Sequence, residues 1–427
     1  MHFLIVVVQM TLAVLTKMFE INNNVVVVKG AKNAAIYNFN DENVYSIDNA
    51  AYSIIHRVLI MGEAPVNDIE STYIAELKNL NLANDSFKCK EYNPEDDFTV
   101  KLDFAWLELT QNCNYQCIHC YEGDSHCSCQ NELTFADWKC VLNQLRDVGC
   151  KKIQFTGGEP CLFPWLKKIL EYASKIGFDN ITVFTNGSLL SEELIKTFSS
   201  LNIRVRFSLY GHCSEIHDSV TQRPGSFNKT ISNAKKMLEY KIDLYPSVII
   251  LKENELFVKE IKSFIESMGL EYKGYDIIRP ACLGNQSIHM PTNPNVLFSK
   301  HKLYAYFKAS KEHFEKALTK NTCWYGKIAI DSVGNVFPCV FQRNLSYGNI
   351  LTHSIKDILS SDKLKSGWFC DFSKIEFCKD CEFRFACKDC RALGMTNSSN
   401  MFQKNPRCMY NPYTGVWESP LKNDQLN

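Results

Sequence analysis

The feature that most constrains this chain is a set of three cysteines, Cys113, Cys117 and Cys120, with the spacing C-x3-C-x2-C on a short loop. Iron–sulfur clusters usually bind four cysteines, so three thiolates around a four-iron cluster leave one iron open to a small molecule. The alternative is a zinc site, which needs a fourth protein ligand. His119 lies inside the loop, but in a tight loop its side chain points away from the neighbouring cysteines. The spacing therefore favours a cluster with one open iron.

The segments around this loop follow a definite order. An apolar run from Phe104 to Leu109 predicts a buried strand before the loop, and a second apolar strand ends at Phe155, just before the Gly-Gly-Glu-Pro sequence of residues 157–160. Cysteine loop, strand and Gly-Gly-Glu-Pro together resemble the pattern of the radical S-adenosylmethionine (SAM) enzymes. The resemblance implies that the open iron binds the amino and carboxylate groups of SAM. It also implies that reductive cleavage of SAM frees a 5′-deoxyadenosyl radical, which is chemistry of the cofactor.

Five residues are candidates for binding SAM. Gly157 and Gly158 have no side chain and therefore allow a close backbone approach. The resemblance implies that this strand edge pairs with the SAM amino group and that Glu159 lies beside it. By the same resemblance, Asn186 and Ser208 lie near the SAM ribose or carboxylate. The alternative for these last two is an ordinary polar residue at the end of a strand.

Composition limits the class of protein further. The chain has 427 residues with 45% hydrophobic content, which suits two or three globular domains. Lysine plus arginine equals aspartate plus glutamate at 47 each, so no overall charge attracts nucleic acid. The 19 cysteines would suggest disulfides in a secreted protein, but their spacings are typical of metal sites. We therefore expect a reducing, oxygen-poor cytoplasm.

The first residues of the chain need a separate interpretation. The run from Phe3 to Leu15 is apolar, but it lacks the preceding basic residue and the clear cleavage site of a signal peptide. It is also too short to span a bilayer comfortably. We expect Met18 to be the natural start and residues 1–17 to be an upstream extension, with a short membrane anchor as the alternative. No other stretch is a transmembrane candidate, so we expect no membrane partner.

Residues 18–95 are predicted to form a small N-terminal domain of three strands followed by two helices. The predicted strands are Val25 to Val28, Ala34 to Phe39 and Val44 to Ile47, and the predicted helices are Ala50 to Met61 and Val66 to Leu82. This order resembles the winged-helix precursor recognition element of peptide-modifying enzymes. The resemblance implies that a leader peptide binds as an added strand. The alternative is a structural cap on the next domain.

Residues 96–100 are predicted to be a linker, and residues 101–300 alternate between predicted strands and helices. The strands are predicted at 103–109, 152–156, 181–185, 203–209, 245–251 and 273–278, with helices such as 134–148 and 164–176 between them. Repeated βα units imply a parallel sheet in an α/β fold. Six units fit the open (β/α)6 partial TIM barrel of the resembled superfamily. In such barrels the chemistry lies at the C-terminal ends of the strands, where the cysteine loop and the candidate SAM residues fall.

The segment 310–420 is poor in long periodic stretches and rich in cysteine, so we expect bound metal to stabilise it. Its seven motif cysteines are Cys323, Cys339, Cys378, Cys381, Cys387, Cys390 and Cys408. Their spacing resembles the SPASM domain of peptide-maturing enzymes, although the gap between Cys387 and Cys390 is one residue shorter than usual. The resemblance implies two auxiliary [4Fe–4S] clusters beside the catalytic one, three in all.

The same resemblance divides these cysteines into two ligand sets. The distal set is Cys378, Cys381, Cys387 and Cys408, and the proximal set is Cys323, Cys339 and Cys390. Relatives with a full proximal set have one more cysteine shortly before the position of Cys323, where this chain has Ala317. The proximal cluster is then either open at one iron or closed by Cys282 or Cys370.

Together these resemblances imply an enzyme that removes hydrogen from a ribosomally made precursor peptide with a leader sequence. The crosslink that we expect first is a cysteine thioether, as in sactipeptide and ranthipeptide synthases. Carbon–carbon crosslinking and epimerisation begin with the same step and stay open. An anaerobic sulfatase-maturating (formylglycine-forming) enzyme is less favoured, because Val340 follows Cys339 where that family has an aspartate.

Three further expectations complete the interpretation. Reductive chemistry on SAM implies an electron donor such as flavodoxin or ferredoxin. Cys127 and Cys129, just after the cysteine loop, are expected to be surface or core cysteines rather than substrate-side thiols. A non-catalytic scaffold that keeps its clusters for electron transfer or sensing is the alternative from another class of function.

Overall fold

The structure is a computed structural model that describes residues 18–93, 97–123, 131–279, 287–300, 307–396 and 400–418. Some predictions concern residues outside these ranges, namely the segment 1–17, the pair Cys127 and Cys129, and Cys282. Within the described ranges, no helix combines the length and the apolar character that a membrane span requires.

The N-terminal domain begins with an antiparallel meander of four strands, one more than predicted. The strands are β1 (Met18–Asn22), β2 (Val25–Lys29), β3 (Ala34–Asn38) and β4 (Asn43–Ile47). Helix α1 (Asn49–Ile54) continues as a π-helix over Ile55–Ile60, and α2 (Asp68–Asn79) precedes a short strand, β5 (Lys90–Glu91). The predicted strands and helices are confirmed. Strand β1 lacks a clear apolar pattern because Glu20 interrupts it.

The central domain alternates strands and helices, as predicted. Its strands are β6 (Phe104–Glu108), β7 (Lys152–Thr156), β8 (Asn180–Thr185), β9 (Arg204–Leu209), β10 (Leu244–Ile250) and β11 (Asp276–Ile277). Its helices are α3 (Phe135–Asp147), α4 (Leu166–Lys175), α5 (Glu192–Ser200), α6 (Ser214–Thr221), α7 (Ser226–Glu239), α8 (Val258–Ser267) and α9 (Pro294–Lys300). The six strands are parallel and adjacent in chain order, which confirms the open partial barrel.

Helix α3 illustrates how the sequence builds the layer outside the sheet. Thr134 and Asp137 form a reciprocal capping box that fixes the first turn of the helix. One face of the helix is fully buried, at the helical spacing of Trp138, Val141, Leu142 and Leu145. Each such side chain contributes about 1.5–3 kcal/mol when it leaves water. Helix packing of this kind leaves the other face of the sheet free for the site.

The C-terminal region consists of short elements joined by turns. They are β12 (Phe307–Lys308), α10 (Lys311–Thr319), β13 (Lys327–Ile330), β14 (Asn335–Phe337), β15 (Gly348–Asn349), α11 (Ile355–Ser360), α12 (Asp362–Trp368), α13 (Arg391–Gly394), β16 (Tyr410–Asn411) and β17 (Val416–Trp417). Strand β13 pairs in parallel with β6 and continues into β14 and β15, so the barrel sheet gains three strands at that edge. The sequence pattern does not predict this connection.

The N-terminal sheet is packed on both faces. One face, which includes Val25 and Ile36, buries its side chains with those of the domain's own helices. The opposite face, which includes Tyr37, packs against Phe314 and Phe383 of the C-terminal region. The Tyr37 hydroxyl donates a hydrogen bond to the carbonyl oxygen of Glu382 at 2.8 Å. The N-terminal domain is therefore docked on the cysteine-rich C-terminal region.

Candidate active site

A cavity of about 530 Å³ lies at the C-terminal ends of the barrel strands. It brings together seven of the eight residues predicted for the catalytic loop and SAM site. They are Cys113, Cys117, Cys120, Gly157, Gly158, Asn186 and Ser208. The cavity is large enough for a small-molecule cofactor together with part of a substrate.

The glycines of the Gly-Gly-Glu-Pro sequence hold the start of the cysteine loop. The backbone N–H of Gly158 donates to the carbonyl oxygen of Thr110 at 2.8 Å, and that of Glu159 donates to Asn112 at 2.8 Å. A Cβ atom on Gly158 would clash with the carbonyl oxygen of Asn112, and Gly157 has a φ of +132° that favours glycine. The close backbone approach predicted for this strand edge is thus made to the cysteine loop itself.

The middle of the cysteine loop is held from the opposite side by helix α6. The backbone N–H of Gln116 donates to the carbonyl oxygen of Thr221 at 3.2 Å, and that of Ile118 donates to Val220 at 3.0 Å. Carbonyl oxygens in the last turn of a helix have no partner within the helix, so they are free to accept such bonds. The loop therefore closes the C-terminal end of α6.

The segment 218–227 orders the turn between α6 and α7. The Asp218 carboxylate accepts hydrogen bonds from the backbone N–H of Gly225 at 2.6 Å and of Phe227 at 2.8 Å, and from the hydroxyl of Ser226 at 2.6 Å. These bonds satisfy the exposed donors at the start of α7. Through α6 they also support the contact that holds the cysteine loop.

The Glu159 side chain is engaged in hydrogen bonds within the protein. Its carboxylate is fully buried, and the lining of the cavity does not include it among the described residues. It accepts hydrogen bonds from the Thr185 hydroxyl at 2.6 Å and from the backbone N–H groups of Asn186 at 2.7 Å and Cys161 at 3.0 Å. Burial nevertheless raises the pKa of Glu159 above its usual range. Glu159 therefore joins the ends of β7 and β8 and orients Asn186.

Asn186 links the strand end to the cysteine loop through two residues that the sequence analysis missed. Its side-chain N–H donates to the Asn114 side-chain oxygen at 2.8 Å, and Asn114 in turn donates to the Ser188 hydroxyl at 2.9 Å. Ser188 closes the ring by donating to the Asn186 side-chain oxygen at 2.7 Å. The available signal was adjacency, because Asn114 follows Cys113 directly and Ser188 lies two residues after Asn186.

The chemistry of the three thiols fits a metal cluster. Burial raises the pKa of each thiol, that of Cys120 to about 11, and the neighbouring Cys113 and Cys120 raise the pKa of Cys117 further. A bound metal favours thiolates in such a place. Across the described ranges, no three His, Cys, Asp or Glu side chains converge tightly enough to ligate one metal ion. A four-iron cluster needs a wider arrangement, because each thiolate binds a different iron.

His119 lines the same cavity but is engaged with an aromatic neighbour. Its ring packs edge-on against Tyr210 with 4.6 Å between ring centroids. Burial lowers the pKa of His119 to about 4, so the ring is neutral near pH 7. This neutral ring helps to exclude water from the wall beside the cysteines.

The motif cysteines of the C-terminal region fall into two groups in space. The Cys323 thiol hydrogen-bonds to Cys390 and lowers its pKa, and both thiols interact electrostatically with Cys339. The positive guanidinium of Arg279 faces all three of these thiols. The other group, whose thiols interact with one another, is Cys378, Cys381, Cys387 and Cys408. The grouping matches the two ligand sets that the sequence pattern implies.

Cys370 and Ala317 lie in an apolar part of the C-terminal region. Both are fully buried in the apolar cluster that joins the N-terminal sheet to helix α10. Burial raises the pKa of Cys370 to about 11, and its charged neighbours include Arg391 and Asp389. Asp389 also interacts with Cys323 and Cys390, so both alternatives for Cys370, a core cysteine and a proximal ligand, stay open.

The cavity also reaches the turn that follows Cys339. Val340, Phe341 and Arg279 line it together with Tyr121 of the cysteine loop. Phe341 packs edge-on against Tyr121 at 5.6 Å between ring centroids, and the Arg279 guanidinium lies 4.8 Å from the Phe341 ring centroid. One cavity therefore extends from the three-cysteine loop to the turn that follows Cys339.

Comparison with known proteins defines the class. Residues 107–265 match the profile of the radical SAM superfamily, and residues 323–382 match that of the SPASM iron–sulfur cluster-binding domain. The chain is a radical SAM enzyme that carries a C-terminal SPASM domain, and both domains imply SAM and iron–sulfur clusters as cofactors.

Individual relatives differ in what they make. The chain is 29% identical over 317 residues to the antilisterial bacteriocin subtilosin biosynthesis protein AlbA of Bacillus subtilis, covering 70% of this chain and 69% of AlbA. It is 25% identical over 346 residues to an AdoMet-dependent heme synthase of Methanosarcina barkeri, covering 72% of this chain and 96% of the synthase. The structure of Streptococcus suis SuiB bound to the precursor peptide SuiA has a similar fold, with a TM-score of 0.56, 14% identity and coverage of 91% of this chain and 99% of SuiB.

Proposed function

We propose that this enzyme is a peptide maturase that removes hydrogen from a ribosomally made precursor peptide and forms a thioether between a cysteine sulfur and another residue's carbon. The observation that carries the proposal is the single cavity that joins the three-cysteine loop to the turn after Cys339. A peptide residue in this cavity would have the catalytic loop on one side and the turn after Cys339 on the other. A substrate cysteine near that turn and its crosslinking partner near the loop would then be neighbours.

The catalytic loop would hold a [4Fe–4S] cluster through Cys113, Cys117 and Cys120, with one iron open to SAM. The backbone edge at Gly157 and Gly158 would meet the SAM amino group, and the remaining polar contacts would come from Asn186 and Ser208. When bound, this cofactor pair supplies the one-electron chemistry that removes a hydrogen atom. The chain's own residues fix the loop and exclude water.

The C-terminal region would hold two auxiliary clusters, so that each chain binds three. Cys323, Cys339 and Cys390 would bind the proximal cluster, and the distal cluster would be saturated by Cys378, Cys381, Cys387 and Cys408. Electrons would come from a small donor such as flavodoxin or ferredoxin. We place the enzyme in a reducing, oxygen-poor cytoplasm, because exposed clusters need such conditions.

Two observations support a peptide as the substrate. AlbA takes part in making a peptide, the bacteriocin subtilosin, and SuiB binds the precursor peptide SuiA. The N-terminal sheet offers a place for a leader strand. Among the described residues, the outer edge of β1 pairs with β5, and the outer edge of β4 pairs with β12 at Asn43 and Val44. The leader would add as a strand to an edge of this sheet.

The test is a reaction with the peptide encoded by a short cysteine-rich reading frame beside the gene. Anaerobic enzyme, SAM and dithionite should remove two hydrogens per crosslink and block one cysteine thiol, both measured by mass spectrometry after alkylation. Loss of two hydrogens with every thiol still alkylated would indicate a carbon–carbon crosslink instead. Deuterium uptake without a change in bonding would indicate epimerisation. An unmodified peptide in the presence of abundant 5′-deoxyadenosine would contradict the proposal.

A further inference from the structure

A buried ion-pair cluster joins the cysteine loop to the C-terminal region. The Arg343 guanidinium donates to both oxygens of Glu108, at 2.7 and 2.6 Å, and its same nitrogen donates to Glu122. The three side chains are almost completely buried, with exposed fractions of 10% for Arg343, 4% for Glu108 and 9% for Glu122. One guanidinium thus bridges two carboxylates away from water.

The three residues come from three separate parts of the fold. Glu108 is the last residue of β6, and Glu122 lies two residues after Cys120. Arg343 lies four residues after Cys339, in the turn that borders the cavity. The cluster therefore connects the barrel, the end of the cysteine loop and the turn of the proximal cysteine group.

Aromatic packing reinforces the same connection. Tyr121, between Cys120 and Glu122, donates its hydroxyl hydrogen to Glu108 at 2.9 Å. Its ring packs against Phe341 of the C-terminal turn, and the Arg343 guanidinium lies 5.9 Å from the Tyr121 ring centroid. The end of the loop is thus held by both polar and aromatic contacts from the C-terminal turn.

The start and the middle of the cysteine loop are held by the barrel, through the backbone pairing at Gly158, the Asn186 network and helix α6. The end of the loop, at Cys120, has a different arrangement. Its described backbone bonds are internal, from Cys120 to the carbonyl oxygen of Cys117 at 3.0 Å and from Gly123 to that of Cys120 at 3.2 Å. The ion-pair cluster and the Tyr121 contacts join this end to β6 and to the C-terminal turn.

We propose that Arg343 is a positioning residue through which the turn after Cys339 holds the end of the catalytic cysteine loop. The SPASM region thereby sets the geometry at which the catalytic cluster meets SAM. Outer-shell contacts of this kind typically change metal affinity or activity 10- to 100-fold when they are removed. This inference rests on the proposed catalytic role of the loop.

The test compares anaerobically reconstituted wild-type, R343M and R343K proteins, reduced with dithionite and given SAM. The readouts are iron per chain, 5′-deoxyadenosine formed without a peptide, and the change in the EPR spectrum when SAM is added. Only a cluster that binds SAM responds to it, so this change separates the catalytic cluster from the auxiliary ones. We expect R343M to lose about tenfold or more of the 5′-deoxyadenosine rate and most of the EPR response. R343K should be intermediate, because lysine provides the charge but not the planar fork.

Arg407 gives a matched control. It is another partly buried arginine of the C-terminal region, and it donates to Asp276 and to the carbonyl oxygens of Ile277 and Ile278, each at 3.1 Å, at the opposite edge of the barrel. R407M should keep the SAM-induced EPR change. An equal loss in R343M and R407M, or a wild-type response in R343M, would overturn the inference.

A second variant covers the case in which R343M does not fold. R343M/E108Q/E122Q removes the ion-pair cluster together with the two glutamate charges that R343M alone would leave buried and unpaired. It should therefore fold and show the same loss of EPR response. A wild-type response in this variant would contradict the inference. The proposed function fails separately, when wild-type protein with full iron forms no 5′-deoxyadenosine.

Discussion

The catalytic cysteine loop and the SPASM region both present cysteines for iron, but they are ordered in different ways. The loop lies among long strands and helices, and hydrogen bonds from β7, Asn186 and α6 fix it. Among the distal cysteines, Cys378 begins one short 3-10 turn and Cys381 directly follows it, whereas Cys387 directly follows another, Arg384–Ala386. The fold builds the first site, whereas we expect the second region to depend on the clusters that it binds. Removing cysteines should therefore affect activity in one region and stability in the other.

The largest effect should follow from removing the catalytic thiols. C113A/C117A/C120A should form no detectable 5′-deoxyadenosine, because no thiolate is left to hold the catalytic cluster. Its thermal unfolding temperature should stay close to that of wild type, since the surrounding hydrogen bonds are made by other groups. Calorimetry and an anaerobic SAM-cleavage assay check the two halves. Extensive unfolding of this variant would show that the cysteine loop also depends on bound metal, which would contradict the contrast between the two regions.

Removing distal thiols should have the opposite signature. C378A/C381A should lower the free energy of unfolding by more than about 4 kcal/mol, because loss of a structural metal is among the largest single effects on stability. Limited proteolysis should cut the C-terminal region first. A variant that keeps wild-type resistance to protease would show that the turns are ordered without metal.

Sequence reasoning succeeded where the signal was local. The apolar runs around Phe155 and Leu209 predicted parallel strands. The spacing of the three loop cysteines predicted that their thiols lie close together. The parallel pairing of β13 with β6 had no local signal, because Lys327 and its partner Phe104 are far apart in sequence. The ion-pair cluster at Arg343 had no local signal either, since the two glutamates that bind Arg343 lie more than 200 residues earlier.

A smaller effect, on rate, is expected at the edge that holds the cysteine loop. G158A should lower 5′-deoxyadenosine formation by about 10- to 100-fold, because its Cβ atom would push the Asn112 carbonyl and displace the loop. G149A is the control. Gly149 has a φ of +83°, which strains an alanine by about 1 kcal/mol, but no atom lies within 4 Å of the added Cβ. Equal rates of 5′-deoxyadenosine formation in G158A and G149A would show that this strand edge has no special role in holding the cysteine loop.

The smallest effect concerns the contact between the N-terminal sheet and the SPASM region. Y37F removes the buried hydrogen bond to the Glu382 carbonyl oxygen and should cost about 1 kcal/mol of unfolding free energy. SAM cleavage should not change. Y45F, at an exposed tyrosine whose hydroxyl donates to Asp41 at 3.0 Å, should unfold like wild type. Chemical denaturation measures both, and indistinguishable midpoints would mean that the SPASM region is ordered without help from this sheet.

The central claim is that the loop of Cys113, Cys117 and Cys120 presents an open iron to SAM. The most direct measurement is the EPR spectrum of anaerobically reconstituted, dithionite-reduced enzyme before and after SAM is added, with 5′-deoxyadenosine measured in the same samples. We predict a SAM-induced spectral change and product formation in wild type, and neither in C113A/C117A/C120A. A fully iron-loaded wild-type protein whose spectrum ignores SAM and which forms no product would contradict the account.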